Sequence, residues 1–331
     1  MKICIVGAGA IGGFIGARLA LSGQAEVSAL ARGDTLAALR QHGWRLQDSE
    51  GSHNSPATAS DNATELGVQD FLVIAVKGPA LPALAPALRP LIGPQTVILP
   101  TMNGVPWWFC LVDGPYSPFA LKSVDPQGVI AESLPVKQTL GCVVHVGASC
   151  PEPGLVKHAM GKELIIGEAA GGTSPRLEMI ANLLTQAGFE IKLSTNVRYD
   201  IWYKLWGNLT MNPVSAITGA TIDRLLGDPL VSEFCSTAMR EAAAVGERIG
   251  CHITQQPEDR HAITRKLGSF KTSMLQDVEA GRAIELDSIV GAAQEIGQHF
   301  GMKTPNIDAI LGLARLFART RGLYPEAREA N

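Results

Sequence analysis

Three groups of residues have the type and spacing to do chemistry. Gly7-Ala8-Gly9-Ala10-Ile11-Gly12 is a GxGxxG run placed directly after an apolar stretch that reads as a strand and before one that reads as a helix. In that context the first glycine allows a tight turn, the second lets backbone approach a pyrophosphate, and the third lets helix and strand pack closely. The helix N-terminus then faces the anion. A glycine-rich turn without a ligand is the plainer alternative.

The second group is one cation placed after the glycines. A dinucleotide site for NAD carries Asp or Glu about 20 residues on, to hold the ribose 2′-hydroxyl. That place is taken by Arg32. A guanidinium suits a 2′-phosphate, which favours NADP(H). Asp34 complicates this reading but lies beyond the turn, where it could equally cap a helix.

The third group is Lys204, Asn208 and Asn212, at i, i+4 and i+8. On a helix these drift only about 80° while rising about 12 Å. Trp202, Leu205, Trp206 and Leu209 occupy the other faces, so the stripe reads either as a satisfied buried ladder or as a lysine acid with two orienting amides. Pro213 predicts that the helix ends at Asn212 and exposes it. Reduction of a carbonyl builds negative charge on oxygen, and a positioned lysine meets it with both charge and a proton. A lysine near its ordinary pKa of about 10.4 is protonated at neutral pH.

These groups need elements to hold them. Lys2–Val6, Glu26–Leu30, residues 71–76, residues 96–99, Leu140–Val146 and Glu163–Ile166 read as strands, separated by helical stretches, which implies βαβ units and a parallel sheet. The polar stretch 47–62 reads as a hairpin or loop, and Pro-rich 77–94 as a crossover with a short helix. Lys77 then follows one strand and Asn103, before Gly104, follows another, at the carboxyl edge where ligands of open sheets bind. A solvated lysine and a turn Asn are the alternatives.

From about Ser194 the period becomes helical, over 200–211, 230–249, 262–278, 285–299 and 306–320. The expected domains are 1–195, binding the dinucleotide, and 196–331, all-helical. Gly281 separates two helical stretches, the second of which Glu285 begins; a first-turn Glu is favourable with the helix dipole alone.

Composition excludes other classes. With 331 residues and a net charge of -3, the chain lacks the basic footprint of a nucleic-acid binder. No uninterrupted apolar run reaches membrane-spanning length, and five glycines with Arg18 spoil the first residues as a secretion leader. The six cysteines form no CxxC, so no metal site is expected and a reducing cytoplasm is. Gly is the anomaly, with 35 residues, against roughly 7% on average, so their placement matters.

Together these residues resemble the ketopantoate reductase (2-dehydropantoate 2-reductase) family. The resemblance runs through 5–13, Ala31-Arg32-Gly33, Lys77, Asn103-Gly104-Val105, Lys204-Leu205 to Asn208, Asn212-Pro213, and Ser273-Met274-Leu275-Gln276-Asp277 with Glu285 downstream. It implies an α/β Rossmann domain followed by a helical domain, NADPH, a 2-oxo acid substrate, a place in pantothenate synthesis and a homodimer. It implies that Lys204 donates the proton, that Asn208 and Asn212 bind substrate and that Ser273 holds its carboxylate. Asn103 would touch cofactor and substrate, while Lys77 and Glu285 would fix the cofactor or complete the catalytic network.

One stretch departs from the family. Pro106-Trp107-Trp108-Phe109-Cys110 opens a Pro/Gly-rich excursion to about Ile130, and the aromatics fit a larger apolar pocket or plain packing equally. Two rival readings follow: a reductase of another 2-oxo acid or bulkier carbonyl, and a non-catalytic NADP-binding sensor, which would not need the Lys/Asn/Asn stripe.

Overall fold

The computed structural model describes residues 1–266 and 268–326; the expectation for the last five residues lies outside them. In chain order the first part contains β1 (Lys2–Val6), α1 (Ala10–Ser22), β2 (Glu26–Leu30), α2 (Gly33–His42), β3 (Trp44–Asp48), β4 (Gly51–Ser55), β5 (Thr58–Ser60), α3 (Ala63–Leu66), β6 (Gln69–Ile74), α4 (Leu81–Leu84) and β7 (Ile92–Pro100). It continues with α5 (Val129–Ser133), β8 (Leu140–Glu152), β9 (Leu155–Glu168), α6 (Pro175–Gln186) and β10 (Glu190–Ser194).

Strands β5-β2-β1-β6-β7 form one wholly parallel sheet. Its central strand is a continuous apolar run, with Ile3, Cys4 and Ile5 fully buried, as a sheet covered on both faces requires. A second, mixed sheet has the order β10-β9-β3-β4, with β8 also on β9. The single parallel sheet expected from the sequence is therefore wrong for 140–168: β8 and β9 are antiparallel. Pro153-Gly154 joins them, too short for the crossover a parallel pair needs, and Gly154 turns at φ +71°.

Helix α1 is buried on most of its circumference between the sheets. A Cβ on Gly13 would come within 2.6 Å of Val156, and one on Gly16 within 2.4 Å of the Trp44 ring. Part of the glycine excess is thus close packing of one helix.

The helical part contains α7 (Val197–Thr218), α8 (Ile222–Gly227), α9 (Pro229–Arg248), α10 (Pro257–Arg265), α11 (Ser273–Glu279), a π-type turn Asp287–Gly291, α12 (Ala292–His299) and α13 (Pro305–Arg319). The single helix expected over 262–278 is two. Gly268 turns at φ +63° between them, and the Thr272 hydroxyl caps α11 by accepting from Leu275 N–H.

Two compact units result: Met1–Val112 with Gln127–Asp200, and Asp113–Pro126 with the described residues from Ile201 on. This differs from an uninterrupted division at 195/196 in two ways. The first turn of α7 stays with the sheets because Ser194 donates to the Asp200 carboxylate at 2.5 Å and Val197 fills the space over Gly141 and Gly167. The stretch 113–126 joins the helical unit instead. Phe119 stacks on His299 at 3.7 Å, Tyr116 meets Phe300 edge-on, and Glu295 accepts the backbone N–H groups of Lys122 and Ser123 at 2.7 and 2.8 Å.

Candidate functional site

Backbone hydrogen bonds continue the first sheet past its carboxyl edge. Ala31 N–H donates to Ser60, Gly7 N–H to Leu30, Ala75 N–H to Val6 and Thr101 N–H to Ile74, all at 2.8–3.0 Å. These bonds fix the loops of the edge in register. Gly7 turns at φ +88°, and a Cβ there would lie 2.6 Å from Val76. A Cβ on Gly12 would lie 2.0 Å from the Gly7 carbonyl oxygen. Gly9 has nothing within 4 Å of that position and is exposed, which leaves an approach for a ligand. Helix α1 starts beside it with no side-chain cap and no acidic residue in its first turn. Its first N–H groups therefore suit an anion.

Gly7, Ala8 and Gly9 form one end of a cavity of about 310 Å³, within the range of small-ligand sites. Leu30, Val76, Leu84 and Ala87 give it apolar walls, and Arg32, Thr35 and Asp61 give it polar ones. Arg32 stands exposed at the start of α2. Asp34 is an exposed residue of the first turn of α2, where the dipole alone favours it. Thr35 and Asp61 escaped sequence reasoning: Asp61 sits in the polar stretch 47–62 that reads as a hairpin or loop, and only the pairing of β5 with β2 brings it to the edge.

Lys77 is half-buried and follows Val76 into a short turn closed by Ala80 N–H on the Lys77 carbonyl at 3.0 Å. Asn103 is half-buried before Gly104, which turns at φ +83°.

In the helical unit, α7 presents the Lys/Asn/Asn stripe. Trp202 and Trp206 are buried on its other faces and donate their indole N–H groups to the carbonyls of Ala242 and Met239 on α9. Lys204 and Asn208 are half-buried. The helix does not end at Asn212: it runs through Pro213 to Thr218. Proline costs an interior helix about 3 kcal/mol, but Val214, Ser215 and Ala216 are buried and hold the next turn. Asn212 is consequently buried, not exposed, and its Nδ2 has no hydrogen-bond partner. A buried amide donor with no partner costs roughly 1–3 kcal/mol.

Ser273 is exposed as the first residue of α11, whose cap is the preceding Thr272, so its hydroxyl is not spent on its own helix. Glu285 does not begin a helix. It lies in non-helical chain one residue ahead of Leu286, at the N-terminal cap position, where the helix dipole still favours a carboxylate.

The aromatic run is buried, and the indole N–H groups of Trp107 and Trp108 have no hydrogen-bond partner. Trp107, Trp108 and Phe109 are 1%, 0% and 0% exposed, and the Arg198 guanidinium lies 4.9 Å over the Phe109 ring. Among the described residues, Asp48, Glu50 and His53 gather three metal-type side chains. Asp48 already accepts from Glu50 N–H and pairs with His53 and Arg18, so the group reads as a tie of the β3–β4 hairpin.

The family models for the ketopantoate reductase PanE/ApbA and for its C-terminal part match residues 3–171 and 196–318. A 2-dehydropantoate 2-reductase of Mesorhizobium japonicum is 40% identical over 325 residues, covering 98% of this chain and 100% of its own. The crystal structure of a candidate ketopantoate reductase from Ralstonia solanacearum MolK2 is 53% identical with a TM-score of 0.94, covering 98% and 99% of the two chains. That of a 2-dehydropantoate 2-reductase from Methylococcus capsulatus is 26% identical with a TM-score of 0.83 over the full length of both. The chain belongs to the ketopantoate reductase family, oxidoreductases built from a dinucleotide-binding α/β part and a helical part.

Proposed function

We propose that the protein reduces 2-dehydropantoate to pantoate with NADPH, a step toward pantothenate and coenzyme A. The observation that carries this reading is the α7 stripe: a half-buried lysine and asparagine, and a buried asparagine whose amide donor has no partner. A sensor that only bound the dinucleotide would have no use for it.

Bound NADPH supplies the hydride to the carbonyl carbon. Lys204 places its ammonium at the carbonyl oxygen, offsets the growing negative charge and gives the proton. Asn208 and Asn212 orient the substrate's polar groups from a helix pinned by two buried tryptophans, and Ser273 binds its carboxylate. Asn103 serves cofactor and substrate. Lys77 and Glu285 fix the cofactor or complete the catalytic network. The turn from Gly7 through Ala8, Gly9, Ala10 and Ile11 to Gly12 takes the pyrophosphate, and Arg32 takes the 2′-phosphate.

The rival reading is a reductase of another 2-oxo acid or of a bulkier carbonyl; burial of Trp107, Trp108 and Phe109 gives it no exposed aromatic surface to rest on. The deciding measurement is loss of NADPH absorbance with a panel of 2-oxo acids. Turnover with 2-dehydropantoate above all others supports the reading; silence across the panel overturns it. A cytoplasmic homodimer belongs to the same reading. Leu313 and Leu316 are exposed on α13, apolar surface that a second copy would cover, and sedimentation at micromolar concentration tests the dimer.

A further inference from the structure

The segment that carries Glu285 is held on both sides by one short stretch of chain. Glu285 is half-buried between Ile284, 1% exposed, and Leu286, 0% exposed, so its neighbours are sunk in the core while it is not. Before it, Ile284 donates its N–H to the carbonyl of Leu323 at 3.2 Å. After it, the Asp287 carboxylate accepts the hydroxyl of Tyr324 at 2.6 Å. Two consecutive residues, Leu323 and Tyr324, therefore bracket positions 284 to 287.

The bracket is itself anchored. Leu323 is buried and donates its N–H to Ala318 at the end of α13, and the Arg319 guanidinium lies 5.5 Å over the Tyr324 ring. What it holds is unusual backbone: Asp287 is the first residue of the π-type turn Asp287–Gly291. Such turns are rare in helices and concentrate at functional sites. The wider turn sets where the chain leaves Glu285, and the Tyr324 hydroxyl is a side-chain bond fixing its first residue.

We propose that Tyr324, acting through Asp287, is a positioning residue for Glu285. This rests on the reading that Glu285 belongs to the reaction machinery. A carboxylate whose supporting segment shifts by about 1 Å loses rate out of proportion to the stability lost.

The test is a double-mutant cycle on the intact protein with NADPH and 2-dehydropantoate. Tyr324→Phe keeps the ring under Arg319 and removes only the hydroxyl; kcat is expected to fall about tenfold. Added to Glu285→Gln, the same change is expected to cost less than about twofold, because residues acting through one another are not additive. Asp287→Asn keeps an acceptor for the hydroxyl and is expected to restore most of the rate that Asp287→Ala loses. Wild-type kcat in Tyr324→Phe, or a full tenfold loss on top of Glu285→Gln, overturns the proposal while leaving the reading of Glu285 intact. Full activity of Glu285→Gln overturns that reading, and the proposal with it. Should Asp287→Ala fail to fold, Tyr324→Phe and Asp287→Asn still decide.

Discussion

Trp206 donates its indole N–H to the carbonyl of Met239 at 2.7 Å, with both groups buried, so α7 and α9 are joined by a bond that water cannot replace. Lys204 lies two residues before it and Asn208 two residues after. Trp206→Phe removes this bond and leaves a void where the larger indole stood, while the Met239 carbonyl keeps its partner within α9. Lost packing and the lost bond together are expected to cost roughly 1–3 kcal/mol. The expected outcome is a lower melting temperature and a lower kcat/KM for the 2-oxo acid, with NADPH affinity unchanged. Melting curves, steady-state kinetics and NADPH fluorescence titration check the three parts.

Lys204→Ala separates chemistry from cofactor binding. If the ammonium supplies both charge and proton to the alkoxide, its loss lowers kcat at least about 10²-fold, as removal of a general acid does. NADPH binding stays within about twofold, since the glycine turn and Arg32 belong to the other unit. Stopped-flow hydride transfer beside fluorescence titration gives the comparison, and surviving activity would remove Lys204 as the acid.

Arg32→Ala tests the choice of dinucleotide. A guanidinium on a 2′-phosphate is a charge-assisted contact worth about 1.5–3 kcal/mol, so NADPH affinity is expected to fall at least about tenfold while NADH affinity changes little. The ratio of the two dissociation constants is the measurement. Equal loss of both would mean that Arg32 only shapes the cavity it lines with Thr35 and Asp61.

The parts legible in the sequence were those set by local rules. Strands β1 and β2 fall on the residues their apolar runs predict, because a covered parallel strand has no polar face to blur its ends. Gly7 and Gly12 of the glycine turn were legible because each makes an approach too close for a Cβ, to Val76 and to the Gly7 carbonyl oxygen. What stayed hidden depends on distant partners. Asn212 looked like a helix end because Pro213 acts locally against helix, and only burial of Val214 to Ala216 reverses that. Stretch 113–126 joins the helical unit through Phe119 on His299 and Glu295 on Ser123, pairings more than 170 residues apart. Asp61 reaches the cavity wall through strand pairing, which no spacing in the sequence announces.

Gly12→Ala probes the tightest of the close approaches. The added methyl would sit 2.0 Å from the Gly7 carbonyl oxygen and 2.8 Å from Ala75 Cβ. Both neighbours are tied into the sheet edge, so relief must come from moving α1 or the turn, a strain of roughly 1–3 kcal/mol. The expected result is a protein that folds with a lower melting temperature and binds NADPH at least about tenfold more weakly. Gly9→Ala is the control: its Cβ meets no protein atom, so it should leave stability unchanged and weaken only the cofactor.

Glu168 gives a pH dependence with a definite sign. It ends β9, and burial would raise its carboxyl, but donors from Arg176 and Ser174 and the Arg176 charge outweigh that and hold it below the usual carboxylate range. Arg176 donates to both carboxylate oxygens, at 2.9 and 2.5 Å, and to the Lys137 carbonyl at 2.6 Å, so the group ties α6 to the second sheet. A carboxyl with a lower pKa folded than unfolded adds stability that is complete above the unfolded value of about 4.3 and is lost as pH falls through the folded value. Glu168→Gln removes that contribution at every pH. The melting temperature of the variant should therefore lie roughly 2–4 °C below wild type at neutral pH, with the gap closing as pH falls below about 4. A gap that persists unchanged at pH 3 would mean that the bridge contributes through packing and not through charge.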